Sequence, residues 1–411
     1  TLVSPPYGEG PRKEFPAGSY VILLGQPYRA FAKTMLELAR YPDVRDCESG
    51  GLARPYDVTA HSLGILLGVE VHQVDQPFSA RLEPVDHFRP SGSLTGSGAY
   101  WLFPHASNAF ARLANRLLAQ GASLSWAPNG FQADGVGYET GTMMARLRGQ
   151  APPAILDGIP VDVRRVERAP QLAWQEVRPP KIGIYASRAP VVDEGWLRWV
   201  LEQNEFPYTV LRDEDIRQKD LSFYHVIVIP SQSTNAIRQG LPAAYPEALR
   251  GGLGDKGIEK LKDYVGAGNV LLLLGTASEL AASLGLEAVN RVAELPPSDF
   301  YVPGSLLAVE VNNLHPIAYG MPGRAAVMFD DQPVLSLKRA LAIARFPGQE
   351  ILLGGWLTGE RHLRSGAALT EVKLGRGYVV AAGFRPHFRA QMRSTYKFLF
   401  NTLFYATTIG R

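Results

Sequence analysis

The run His225-Val226-Ile227-Val228-Ile229-Pro230 decides how this chain reads. Its unbroken β-branched residues predict a strand buried on both faces, the kind found inside parallel sheets. Neighbouring segments fit the same layer. Ile182-Gly183-Ile184-Tyr185 and Tyr208-Thr209-Val210-Leu211 read as short strands, and Asn269 to Leu274 as a fourth. Between them, Asp193 to Gln203 has helical spacing with Trp196, Trp199, Val200 and Leu201 as its apolar face, and Ile258 to Ala267 reads as a second helix. Alternating strands and helices predict an α/β fold, a doubly wound parallel sheet with right-handed crossovers. Ala367 to Val372 and Gly377 to Ala382 read as a late hairpin. Thr395 to Tyr405 reads as a closing helix whose Tyr396, Leu399 and Leu403 share a core face.

Upstream of Lys181 the pattern is looser. Ala99 to Phe103, the helix Asn108 to Gln120 and Ser123 to Trp126 make a strand–helix–strand unit, read as a parallel α/β layer; Phe110, Leu113, Leu117 and Leu118 face inward and Gly121 closes the helix. Further back, Ser4 to Pro11 reads as a linker, Ser19 to Leu24 as a strand and Tyr28 to Ala39 as a helix. Thr59 is placed to cap a helix from Ala60 to Leu67 that stops at Gly68, and Val69 to Val74 alternates like a half-buried strand. These readings divide the chain into an N-terminal α/β linker region at 1–88, a small α/β unit at 89–180 and the main sheet at 181–411.

Composition bounds the function. The 411 residues allow two or three domains, and 46% apolar with 20% charged residues is ordinary for a globular protein. The net charge of +3 is scattered rather than clustered, which argues against nucleic acid as a partner. No apolar run approaches the roughly 20 residues of a transmembrane segment. The one cysteine, Cys47, on an expected loop, excludes an intrachain disulfide and a thiolate metal cluster. The chain opens on Thr1 rather than Met, which reads as a processed product or a piece of a longer polypeptide.

Two stretches, Arg54-Pro55-Tyr56-Asp57-Val58-Thr59-Ala60 and Gly383-Phe384-Arg385-Pro386-His387-Phe388-Arg389-Ala390-Gln391, resemble the C-terminal, non-zinc region of bacterial secreted zinc carboxypeptidase-like proteins. Pro16 to Val21, Gln26 to Arg29, Gly68 to Val71, Asp193 to Trp196 and Tyr301 to Leu307 extend the likeness in order along nearly the whole chain. The order of elements after Lys181 is similar to the class I glutamine amidotransferase-like domain, a flavodoxin-like sandwich. The resemblance implies a periplasmic or extracellular protein with a metallocarboxypeptidase domain ahead of this region. That domain's zinc motif, His-x-x-Glu, is absent: His72 comes closest, with Asp75 three residues on. Zinc is therefore expected only with a peptidase domain upstream, and no cofactor for this chain alone.

The resemblance also locates an ancestral pocket. Amidotransferase-like domains carry their nucleophile on a sharp turn after the fourth strand, in Gly-x-Cys-x-Gly. The corresponding residues are Gly275-Thr276-Ala277-Ser278-Glu279, which puts Ala277 at the nucleophile position; Ser278 or Thr276 substitutes only in a shifted register. The family's histidine falls near His387, beside Arg385. Asp193-Glu194 at a helix start reads either as first-turn acids favoured by the helix dipole or as a polar rim of the crevice. The expected vestigial pocket therefore comprises Ala277, Ser278, Glu194, Arg385 and His387, with no catalytic residue.

Other motifs are weaker. Gly252-Leu253-Gly254-Asp255-Lys256-Gly257 matches Gly-x-Gly-x-x-Gly, but no strand precedes it, so it reads as a loop opening a helix. His61, His72 and His87 share a region with Asp57, Asp75 and Asp86 at spacings that match no structural zinc pattern. The expectation is a catalytically inactive accessory module that shapes or partners a peptidase domain, or binds peptide or glycan at the sheet crevice. The alternatives are a structural protein of a multi-chain complex, or a hydrolase improvised from Ser278, His387 and Glu194.

Overall fold

The computed structural model describes residues 2–3, 12–42, 44–45, 53–87, 91–147, 149 and 153–409. The readings made on Ser4 to Pro11, on Cys47 and on a boundary at Phe88 lie outside the described residues. Strands β1 (Leu2–Val3) and β2 (Arg12–Lys13) pair antiparallel, and helices α1 (Arg29–Leu36) and α2 (Leu63–Leu67) follow. Ser19 to Leu24 and Val69 to Val74, expected as strands, are not strands, and Tyr20, Ile22, Leu23, Val69 and Val71 are exposed. Alternation makes a strand only where a ladder partner exists, and neither segment has one among the described residues. Helix α2 starts later than expected, after Ser62, because Thr59 is used elsewhere; Gly68 does end it, in the left-handed conformation at φ 70°.

The next unit runs β3 (Leu94–Gly96), β4 (Tyr100–Phe103), α3 (Ala109–Ala119), β5 (Ser123–Trp126), the hairpin of β6 (Phe131–Ala133) and β7 (Val136–Tyr138), β8 (Met143–Arg146), β9 (Val163–Val166) and β10 (Gln175–Val177). Its six-stranded sheet has the order β10-β5-β8-β4-β9-β3. Here the expected parallel layer is corrected. Strands β4 and β5 run in the same direction, but β8 lies between them, antiparallel to both, and only β3 and β9 pair in parallel. Periodicity identifies strands but not their neighbours. On α3 the i, i+3, i+4, i+7 set Phe110, Leu113, Ala114 and Leu117 is fully buried. Each large apolar side chain there contributes about 1.5–3 kcal/mol.

The main sheet follows. Its elements are β11 (Ile182–Tyr185), α4 (Val192–Gln203), β12 (Tyr208–Leu211), α5 (Asp213–Gln218), β13 (Val226–Ile229), α6 (Thr234–Gln239), α7 (Glu247–Arg250), α8 (Gly254–Gly266), β14 (Val270–Leu274), α9 (Leu280–Ser283) and β15 (Ala288–Asn290). Then come β16 (Ser305–Val311), β17 (Arg324–Phe329), β18 (Leu335–Leu337), β19 (Leu341–Arg345), β20 (Leu352–Gly354), β21 (Ala367–Leu374), β22 (Gly377–Ala382) and α10 (Tyr396–Tyr405). Five strands pair in parallel in the order β12-β11-β13-β14-β22. From β22 the sheet continues antiparallel through β21, β19, β16 and β17. The fold is α/β, with a mixed rather than wholly parallel sheet.

Alternation along the parallel strands feeds two cores. Ile182, Ile184, Val226, Val228, Val270 and Leu272 join the core under α4 and α10. Ile227, Ile229, Leu271 and Leu273 join the core under α5, α6 and α8. The α4 face is shifted from expectation: Leu197, Val200 and Leu201 are buried, whereas Trp199 is exposed. That rotation also buries Asp193, one helical turn before Leu197. The α4/α10 core runs on into the six-stranded unit without a break. Phe110 on α3 meets Phe404 on α10, and Asn115 donates to the Asn204 carbonyl.

Candidate functional site

The carboxyl ends of β11, β13, β14 and β22 open on one edge of the sheet, where open α/β sheets place their ligand crevice. Side chains from the loops after these strands form a polar lining. The Gln232 amide donates to the Ser187 hydroxyl at 2.9 Å, and the hydroxyls of Ser231 and Thr276 lie 3.0 Å apart. The Thr276 amide donates to Ser231 Oγ at 3.1 Å. Gln332 donates to the Asp330 carbonyl, leaving its Oε1 buried with no partner among the described residues.

The sharp turn after β14 is at Gly275, with φ +55°. A Cβ at that position would lie 2.4 Å from both Ser231 Oγ and Gln332 Oε1. The residue in the elbow conformation is therefore Gly275, two positions before Ala277. Ala277 is fully buried in the core under α8. Ser278 is also fully buried, and its hydroxyl donates to the Gly275 carbonyl at 2.6 Å. The shifted register that would turn Ser278 outward is not adopted.

Arg385 and His387 do come together, through a residue the sequence pointed to only as half of a pair. The Arg385 guanidinium donates to Asp330 Oδ2 at 2.6 Å and Asp193 Oδ2 at 3.3 Å. It lies 4.5 Å from the centre of the Phe388 ring. His387 is fully buried, with Nε2 3.1 Å from the Asp193 carbonyl oxygen. That acceptor calls for a proton on Nε2 and leaves Nδ1 bare, and Nδ1 has no partner among the described residues. Burial pushes the His387 pKa down, with attraction to Asp193 opposing it, so the ring is neutral at physiological pH. Glu194, the acid singled out from sequence, pairs instead with Arg198 at 3.4 Å along its own helix. The buried acid of the site is Asp193. It does not cap α4 with its side chain; the N-cap is Val191.

The distant stretches quoted above meet beside this cluster. Arg389 grips Asp57 with two hydrogen bonds, 2.8 and 2.7 Å. Thr59 is buried, and its hydroxyl lies 2.9 Å from both the Pro303 carbonyl and Ser305 Oγ. Val58 packs where a Cβ on Gly304 would otherwise sit. Asp330, Gln332, Ser231 and Gln232 were not legible as site residues. Only their positions just beyond apolar runs marked them, and many loops share that signal.

The remaining motifs carry no site geometry. Gly252 has φ +87° and packs against the end of α6, while its carbonyl accepts from Arg217. Gly254 and Gly257 open α8. His61, His72 and His87 are exposed. Among the described residues no group of three or more His, Cys, Asp and Glu could hold a metal ion. Among them, too, no helix is long and apolar enough to cross a membrane.

No family profile matches the chain, and no curated protein matches it. Solved structures do. A cytoplasmic protein of Salmonella typhimurium aligns at 14% identity and a TM-score of 0.36, over 55% of this chain and 98% of that one. An exo-β-1,4-mannosidase of an Opitutaceae bacterium aligns at 13% and 0.34, over 57% of this chain and 36% of that one. A β-galactosidase of Bacillus circulans aligns at 13% and 0.30, over 55% and 31%. At these identities the likeness assigns no activity.

Proposed function

We propose that this chain is a catalytically inactive binding module built on an amidotransferase-like sheet, the accessory part of a secreted zinc carboxypeptidase-like protein. The parallel order β12-β11-β13-β14-β22, second-first-third-fourth-fifth along the chain, supports a flavodoxin-like core. One observation carries the inactive reading. The elbow after β14 holds Gly275, and polar atoms of Ser231 and Gln332 fill the space a nucleophile would need. Acyl transfer requires a nucleophile within reach of its base. Buried Ser278 and buried His387 offer no such pair to a substrate.

The lining of hydroxyls and side-chain amides suits a neutral polar ligand, a peptide backbone or a glycan, better than an ion. Arg385 is already satisfied by Asp193 and Asp330. An apolar surface supports a partner domain: no residue of α1 is buried, and Tyr28, Phe31 and Leu38 are 72%, 67% and 61% exposed. Single exposed apolar residues are common, but a run of them marks a contact surface. The occupant we assign is the peptidase domain, which would also bring the zinc.

Intact mass and N-terminal sequencing of the native protein test this reading. A mass above 44.9 kDa, with zinc-dependent release of C-terminal amino acids by the same polypeptide, is the expected result. A native mass of 44.9 kDa in a defined homo-oligomer would overturn it in favour of an assembly protein. The purified chain is expected to release no ammonia from glutamine. Turnover abolished by Ser278→Ala or His387→Ala would instead establish a hydrolase.

A further inference from the structure

Away from the crevice, an open hollow of about 130 Å³ sits where β18, β19 and the start of β21 meet. Its polar wall includes two arginines, Arg291 and Arg345, and two exposed serines, Ser336 and Ser365; Thr370 also lines it, but its hydroxyl donates to the Ala381 carbonyl at 3.3 Å. Among the described residues no Asp or Glu lines it. Neither guanidinium forms an ion pair among the described residues, whereas Lys338 and Arg364, next in sequence to lining residues, pair with Glu287 and Glu360.

Both arginines converge on one turn. Arg345 Nη1 is 3.4 Å from the Ser365 carbonyl oxygen. Arg291 Nη1 lies 3.2 Å from the place a Cβ would occupy on Gly366, so any larger residue there would press on the guanidinium. The backbone is irregular at this spot. The β19–β21 ladder shifts register on both sides of Ala344, just before Arg345. Ser365 holds φ +55°, a conformation that costs a non-glycine residue free energy. Bulges re-aim side chains out of the regular alternation. Here Arg345 is turned to the hollow while Ala344 stays in the core.

Two like charges brought to one turn repel each other; Glu310, opposite Arg345 in the β16–β19 ladder, forms no ion pair with it among the described residues, and an anion between the guanidiniums removes that cost. A carboxylate presents two oxygens in one plane and is matched by a single guanidinium fork. Two guanidiniums from separate elements, with hydroxyls around them, match a tetrahedral dianion instead. We propose that this hollow is a phosphate-binding site, taking either free phosphate or the phosphoryl group of a monoester. The site is independent of the crevice reading, since it shares none of the crevice residues.

Calorimetric titration of the full chain with inorganic phosphate, at low ionic strength, tests the assignment. Saturable binding to one site is expected, weakening as salt is raised. Arg291→Gln and Arg345→Gln should each weaken it about tenfold or more, the worth of one charge-assisted hydrogen bond. Ser336→Glu, an exposed change that brings a carboxylate to the hollow, should abolish it without disturbing the core. Phenyl phosphate distinguishes the sources: tighter binding than inorganic phosphate indicates a monoester, equal binding the free ion. Absence of saturable binding by either probe, tighter binding of acetate, or phosphate binding that survives the double arginine variant would each overturn the proposal.

Discussion

Asp57 and Arg389 stand 332 positions apart and meet in a two-pronged ion pair. The contact ties the Arg54 to Ala60 stretch to the loop after β22, at the point where the backbone of Arg389 and Ala390 takes positive φ, 46° and 55°. Such conformations persist only where surrounding contacts hold them. The ion pair is one such contact, and the stacking of Arg389 on Phe388 is another.

Because both partners are more than a third exposed, solvent screens the pair. Asp57→Asn is expected to cost only about 0.5–1 kcal/mol, seen as a lower urea midpoint and shrinking in high salt. The Arg389 guanidinium holds the Asp57 carboxyl below its usual range. The contribution is therefore present above the unfolded-state pKa, about 3.9, and lost as pH falls through the folded value. An undiminished cost at high salt would mean that the aspartate acts by packing rather than by charge.

Thr59 is the buried hub of the same junction. Besides its contacts to Pro303 and Ser305, its hydroxyl accepts from the Trp356 amide at 3.2 Å. Thr59→Val keeps the shape and removes the shared hydroxyl, while the Trp356 amide keeps Ser305 Oγ at 2.9 Å and the Pro303 carbonyl keeps the Thr59 amide at 3.2 Å, so a loss of about 1 kcal/mol is expected. Thr59→Ser should retain most of the stability. Equal losses for the two variants in denaturant unfolding would point to the methyl group instead.

Gly275→Ala should destabilise by about 2–4 kcal/mol. Positive φ accounts for about 1–2 kcal/mol of this, and the clash with Ser231 and Gln332 for the rest. Ala277→Gly, two positions on, should instead lose only a buried methyl and some chain rigidity. Calorimetric melting of the pair checks whether the elbow is at Gly275; a harmless Gly275→Ala would move it.

His105 links the six-stranded unit to α10. Its ring nitrogens lie 2.8 Å from the Gly141 carbonyl oxygen and 2.7 Å from Asn401 Oδ1. Burial pushes its pKa down to about 4, against hydrogen bonds to Asn401 and Gly141 that raise it. A histidine held neutral in the fold contributes fully above its unfolded-state pKa near 6.5. That contribution is lost as pH falls from there through about 4, up to roughly 3 kcal/mol. His105→Gln should flatten the acid limb of a stability–pH curve in that interval. An unchanged limb would assign the acid sensitivity to other groups.

Local pattern carried far in this chain. Strands β5, β11 and β12 fall on the residues their alternation or β-branching marks, and α3 buries the face its spacing selects. Arg385 and His387 were singled out by the resemblance, and the structure brings both against Asp193. Their partner Asp193 was read only as half of an acid pair, and Asp330 and Gln332 not at all. Ser19 to Leu24 and Val69 to Val74 show the opposite limit, since both have strand composition and neither finds a ladder.

Periodicity is a property of neighbouring residues, and sterics and side-chain entropy enforce it within a few positions. It therefore sets which segments become helices and core strands in any compact state. The insertion of β8 between β4 and β5, the elbow at Gly275 rather than Ala277, and the meeting of Asp57 with Arg389 depend on which surfaces come to lie together. Only packing of the whole chain decides that, because each contact is worth about a kilocalorie or so and is selected by the cores that surround it.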